Sequence, residues 1–207
     1  TIYPPTSQVV FTLASLTTPG TASMLHRMVI FKAWFVLFDL MTLVLVVLLL
    51  REIGRPVGWS LAYGWCPLLI KEIANSGHLD AVAVFFTTLA VWLAVRACFP
   101  TVSSRSESTS RLGSKRAMLG AVLALSLAIG AKLYPLVLVP LFLLTSLQRL
   151  GWRNAILMGL VLLLVTGFIL WPMVPTEKLA ELSAFRFPST NEELPPLPPP
   201  HIGTEAR

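Results

Sequence analysis

Glu72-Ile73-Ala74-Asn75-Ser76-Gly77-His78-Leu79-Asp80 stands between two apolar runs, Val57 to Ala74 and Leu79 to Phe99, each long enough to lie in a bilayer. The stretch gathers a glutamate, an asparagine, a histidine and an aspartate at the point where the two runs meet. A charge at membrane depth costs about 2.5–3.5 kcal/mol per residue on insertion scales, so such residues mark functional sites. The rest of the chain reads as a helical scaffold holding this segment on one face of a membrane.

The composition agrees. The chain has 207 residues, of which 55% are hydrophobic and only 13% charged, against about 25% charged in soluble domains. Its formal net charge is +6. The basic residues sit in short loops between apolar runs, where they set topology, and no nucleic-acid partner is expected. Cys66 and Cys98 fall in apolar segments without metal or redox spacing, and read as buried unpaired thiols. The chain does not open on a methionine, and residue 1 falls inside a motif. A start truncated upstream is therefore expected, and no signal peptide is visible.

The expected fold is all-α, a polytopic transmembrane bundle of about six spans with an interfacial N-terminal segment. Residues 1–27 form that segment: Tyr3-Pro4-Pro5 excludes regular helix, a helix starts near Thr6, and Pro19-Gly20 breaks it before it is long enough to cross. Residues 28–172 form the bundle. Met28 to Leu50 is one span, with Asp39 near its middle, read as a polar contact between helices. Val57 to Ala74, interrupted by Pro67, and Leu79 to Phe99 are the next two. A Ser-rich basic loop, read as flexible, runs from Pro100 to about Arg116. Ala117 to Leu147 is long for one crossing and short for two, so two short helices are expected to meet at Lys132-Leu133-Tyr134-Pro135. Asn154 to Trp171 is the last span. Residues 173–207 are a Pro-rich tail, expected to be extended and solvated.

Loop charges predict orientation. Arg51 and Arg55, the basic residues between Arg96 and Arg116, and Arg149 with Arg153 share one side if there are six spans. The positive-inside rule makes that side cytoplasmic. The Tyr-Pro-Pro segment, the turn at Asp80, the break at Lys132 and Trp171-Pro172 then face outward. Trp59, Trp65, Trp152 and Trp171 read as interfacial anchors.

Glu72, Asn75 and His78 follow one another at intervals of three, which on a continuing helix places neighbouring pairs on one face. Gly77 is expected to end the helix and leave His78 and Asp80 in the turn beyond. Such a turn offers a carboxylate as general base and an imidazole as donor. A polar hairpin tip explains Asn75, Ser76 and Gly77 equally well, but explains Glu72 poorly. His78 and Asp80 are two ligands, too few to define a metal site. Lys132, in an apolar stretch beside a proline, either pairs with a phosphate or snorkels at a helix end. Tyr3-Pro4-Pro5 reads as a stiff loop positioning the next helix.

Taken in order, Thr1-Ile2-Tyr3-Pro4-Pro5 with Gln8, Phe38-Asp39-Leu40, Trp65-Cys66-Pro67-Leu68, Glu72 with Ser76-Gly77-His78-Leu79-Asp80, and Lys132-Leu133-Tyr134-Pro135 resemble bacterial polytopic glycosyltransferases of the GT-C type. The resemblance is to the polyprenyl-phosphate-mannose-dependent mannosyltransferase-like proteins and covers roughly residues 1–172. It implies an active site on the outer face of the bacterial cytoplasmic membrane and a lipid-phosphate sugar donor, with no cofactor. By position it implies that Asp80 or His78 lies near the reacting groups and that Lys132 faces the donor phosphate; Glu72 joins them as a candidate catalytic residue, and Tyr134, Tyr3 and Asn75 as candidate substrate contacts. The reaction expected is an inverting transfer of a hexose, mannose foremost: a carboxylate deprotonates the acceptor hydroxyl and a cation helps the phosphate leave. The family also carries an acidic residue, often named as catalytic, upstream of the Tyr-Pro-Pro motif. It would precede Thr1. The other reading open to these residues is a secondary transporter or lipid-handling protein, with Asp39, Glu72, His78 and Lys132 lining a path. A structural subunit leaves the charges unexplained.

Overall fold

The computed structural model describes residues 3–75, 79–98 and 107–173, with the side chains of residues 72, 74, 75 and 107–112 outside the description. The Pro-rich tail and His78 also lie outside the described residues. Every regular element described is helical. In chain order these are α1 (Pro5–Leu16), α2 (Met24–Glu52), a 3-10 turn (Val57–Ser60), α3 (Leu61–Gly64), α4 (Pro67–Leu69) and a π-helical turn (Ile70–Asn75). Then follow α5 (Asp80–Cys98), α6 (Glu107–Ala131), a 3-10 turn (Tyr134–Leu138), α7 (Val139–Leu150), α8 (Trp152–Leu170) and a final 3-10 turn (Trp171–Met173). Four stretches are long and apolar enough to cross a bilayer: Met24–Glu52, Asp80–Cys98, Gly113–Ala131 and Trp152–Met173. The protein is an all-α helical membrane protein.

Helix α1 begins at Pro5, whose fixed φ suits the first helical turn. Its 12 residues extend about 18 Å, short of the ~30 Å hydrocarbon core. Ser23 caps α2, its side chain accepting from the His26 backbone N–H.

The span over residues 57–74 is interrupted at Pro67, as expected, and divides further than expected into short pieces. Pro67 has no N–H and its ring excludes the carbonyl of Tyr63, which instead accepts from the Cys66 N–H at 3.1 Å. Cys66 itself takes an extended ψ of 112° ahead of the proline. The chain therefore passes this depth as short pieces. Cys66 and Cys98 are free thiols, as expected, but partly rather than fully buried.

The flexible loop expected up to Arg116 is also corrected. Helix α6 already starts at Glu107, and Ser114 Oγ donates to the Ala97 carbonyl at 2.6 Å, fastening its first turns to the end of α5. The arm before the break at residues 132–135 is consequently a full-length span, and only α7 after it is short.

Helix α6 is the centre of the bundle. Its spanning window is 56% buried, against 11% for that of α8, although α6 is the least apolar of the four. Lipid is as apolar as leucine, so hydrophobicity does not draw a helix inward; small residues do, by letting backbones approach. Ala121, Ala124 and Ala128 of α6 are buried with Ala90 and Ala97 of α5. A Cβ on Gly120 would stand 3.2 Å from Leu93 Cδ1. A second cluster joins Val10, Phe35, Phe38, Ile73, Ala81, Val82, Ala83 and Ala131, with Phe38 edge-on to Phe85 at 5.4 Å between ring centroids.

Asp39 makes the polar contact its position calls for: the Tyr63 hydroxyl of α3 donates to its Oδ1 at 2.7 Å. Tyr63→Phe leaves a carboxylate oxygen unpaired at membrane depth and should cost about 1–3 kcal/mol, read from reversible SDS unfolding in micelles. Asp39→Asn keeps an acceptor and should cost less. Trp59, Trp65, Trp152 and Trp171 are all exposed, and the last two bracket α8.

Candidate functional site

The site is built on the end of α6. Pro135 cannot donate a helical hydrogen bond, and its ring keeps the Ala131 carbonyl from receiving one. Helix α6 therefore stops at Ala131 with that carbonyl open. Ser7 of α1, fully buried, closes it: its Oγ donates to the Ala131 oxygen at 3.2 Å. The helical turn after Tyr-Pro-Pro and the residue before Lys-Leu-Tyr-Pro are thus joined by one hydrogen bond. Gly130 allows the approach, since a Cβ there would lie 2.4 Å from Ile169 Cγ2 of α8 and 2.5 Å from Thr6 Oγ1. The starts of α1 and α5 and the ends of α6 and α8 accordingly share one end of the bundle. The Ala97–Ser114 contact and the α7–α8 turn with Arg149 and Arg153 lie toward the other.

Lys132 follows directly. Its backbone N–H still bonds Ala128 O at 2.9 Å, so it occupies the C-terminal cap position of α6. Its ammonium pairs with the Asp80 carboxylate, and both side chains are close to half exposed, at 45% and 44%. Asp80 is the first residue of α5 and not a residue of the preceding turn as expected. Each charge thus sits at the helix end that favours it, an anion at an N-terminus and a cation at a C-terminus. That placement alone would account for the two residue types, but it does not require them to meet. A half-exposed pair contributes little stability, roughly 0.2–1 kcal/mol.

Tyr134 stands beside the pair. It is half exposed and feels the Asp80 charge. Burial pushes its phenol above the ordinary value, Thr87 opposes this, and Asp80 adds to the rise. Tyr134 is therefore a protonated donor at neutral pH.

The other residues singled out from sequence are placed differently. Glu72 and Asn75 belong to the π-helical turn. Its i→i+5 bonding differs from that of the continuing α-helix on which a shared face depends. Their side chains, and His78 entirely, lie outside the described residues. Tyr3 is exposed, packs edge-on against Phe11 at 5.4 Å and accepts at its carbonyl from Gln8 Nε2 at 2.6 Å. What links its motif to Lys132 is Ser7. Among the described residues no three His, Cys, Asp or Glu side chains come together as a metal site. Sequence reasoning missed Ser7, Thr87 and the role of Gly130. Only the first left a usable signal: a carbonyl orphaned by Pro135 must find a donor.

Fold and site together define a polytopic helical membrane protein with a cation–carboxylate pair exposed at one end of its bundle. No family model, curated protein or solved structure matches the chain.

Proposed function

We propose that the protein is a membrane glycosyltransferase that moves a hexose, mannose foremost, from a polyprenyl-phosphate donor to an acceptor hydroxyl at the Asp80–Lys132 end of the bundle. The observation that carries this reading is the half-exposed Asp80–Lys132 pair, a carboxylate suited to accept a proton beside a cation suited to a phosphate, with Tyr134 near enough to feel the Asp80 charge. In the proposed reaction Asp80 takes the proton of the acceptor hydroxyl as its oxygen attacks the anomeric carbon. The bond to the donor phosphate breaks, and Lys132 stabilises the departing phosphate. An apolar groove of about 340 Å³ between α6, α7 and α8, lined by Ile129, Leu136, Leu143, Gly159 and Thr166, suits a hydrocarbon chain. The basic turns at the other end support an outward-facing site in a bacterial cytoplasmic membrane.

The test is transfer by the full-length protein in membranes supplied with labelled polyprenyl-phosphate mannose. Label is expected to leave the lipid for an acceptor, and a water-soluble nucleotide sugar should not replace the donor. Proton-coupled uptake into vesicles without any transfer would instead identify a transporter.

A further inference from the structure

We propose that Asp80 is the resident anion of the Lys132 site, and that a lipid phosphate binds there by displacing it. The inference rests on reading Lys132 as a phosphate partner. Lys132 and Asp80 are already paired, so an incoming phosphate meets an occupied ammonium. An ammonium is a compact point charge that favours whichever anion presents the greater charge and more oxygens. Polyprenyl phosphate without sugar, a phosphate monoester, surpasses a carboxylate on both counts, whereas the sugar-bearing donor is a diester with one charge and two free oxygens and only matches it. Opening the pair leaves both side chains with solvent contact, although the Asp80 Oδ1 that faces Lys132 is itself buried and makes no hydrogen bond. Asp80 remains at the N-terminus of α5 and Lys132 at the C-terminus of α6, each favoured by its helix dipole, and both are already about half in solvent. Pairs of this exposure are weak enough to exchange.

The exchange has a consequence for the chemistry. While paired, the Asp80 oxygen is engaged by the ammonium. Once phosphate takes Lys132, that oxygen is free to accept the acceptor proton. Occupation of Lys132 by a lipid phosphate and release of that oxygen are then one event.

The experiment titrates polyprenyl phosphate carrying no sugar into the full-length protein in phosphatidylcholine nanodiscs, with the uncharged polyprenol as reference. The wild type should prefer the phosphate lipid. Asp80→Asn and Asp80→Ala should bind it about two- to fivefold tighter, Asp80→Glu should bind as wild type does, and Lys132→Ala should lose the preference. If both neutral Asp80 variants bind no tighter while Lys132→Ala still loses the preference, displacement is overturned and the phosphate reading of Lys132 stands. If Lys132→Ala keeps the wild-type preference, the phosphate reading fails and the inference with it. Repeating the titration in phosphatidylglycerol separates the sources of phosphate. Weak competition assigns the site to the prenyl lipid, and competition as strong as the prenyl lipid's overturns that assignment.

Discussion

Asp80→Asn is expected to lower sugar transfer by about 10²–10⁴-fold while leaving the bundle folded. Asparagine keeps the size of the side chain and can still present an oxygen to Lys132, but it cannot take up the acceptor proton. The lost ion pair is half exposed, so its effect on stability stays below about 1 kcal/mol. Lys132→Ala should cost transfer about 10²–10³-fold, since a positioned cation at the leaving oxygen is removed. The two variants should differ in kind. Loss of Asp80 lowers kcat with no rise in the KM for donor, because no competing anion remains. Loss of Lys132 raises that KM as well. Initial rates at several donor concentrations measure both. If Asp80→Asn and Lys132→Ala each transfer sugar at the wild-type rate, the site is wrongly assigned.

Gly130→Ala should destabilise the protein by about 1–2 kcal/mol, and Gly130→Leu by more. On an exposed helix the first substitution would be favourable by about 1 kcal/mol. Here the sign is reversed by packing: the new Cβ would stand 2.4 Å from Ile169 Cγ2 and 2.5 Å from Thr6 Oγ1. Both neighbours carry branched, stiff side chains that cannot rotate away freely. In a Thr6→Ala/Ile169→Ala background the clash is gone, and Gly130→Ala should become neutral or stabilising by up to about 1 kcal/mol. SDS unfolding of the four proteins reads the reversal. Unchanged stability of Gly130→Ala in the wild-type background would show that α1, α6 and α8 do not meet as described. The same substitution should reduce transfer, because the displaced helices are those that meet beside Lys132.

The charge pair and the glycine differ in how far the sequence announces them. Asp80 and Lys132 are legible as costly charges beside apolar runs, and Pro135 marks the break that exposes Lys132. Their pairing is not legible, because it joins residues far apart in the chain, and each is separately explained by its helix end. Gly130 carries no signal of its own; its importance lies wholly in what approaches it.

The sequence by itself determined that this is a helical membrane protein, and roughly where α1, α2, α5 and α8 begin and end. In lipid every backbone donor and acceptor must be satisfied within the chain, so a long apolar run has little choice but to be a helix. It also determined the end of α6, because Pro135 removes a donor whatever surrounds it. Only the tertiary structure decided that α6 extends back to Glu107 and that this least apolar span lies at the centre. Those outcomes depend on partners: a carbonyl on α5 for Ser114, small side chains on α5 facing those of α6, and a serine from α1 for the carbonyl that Pro135 leaves open.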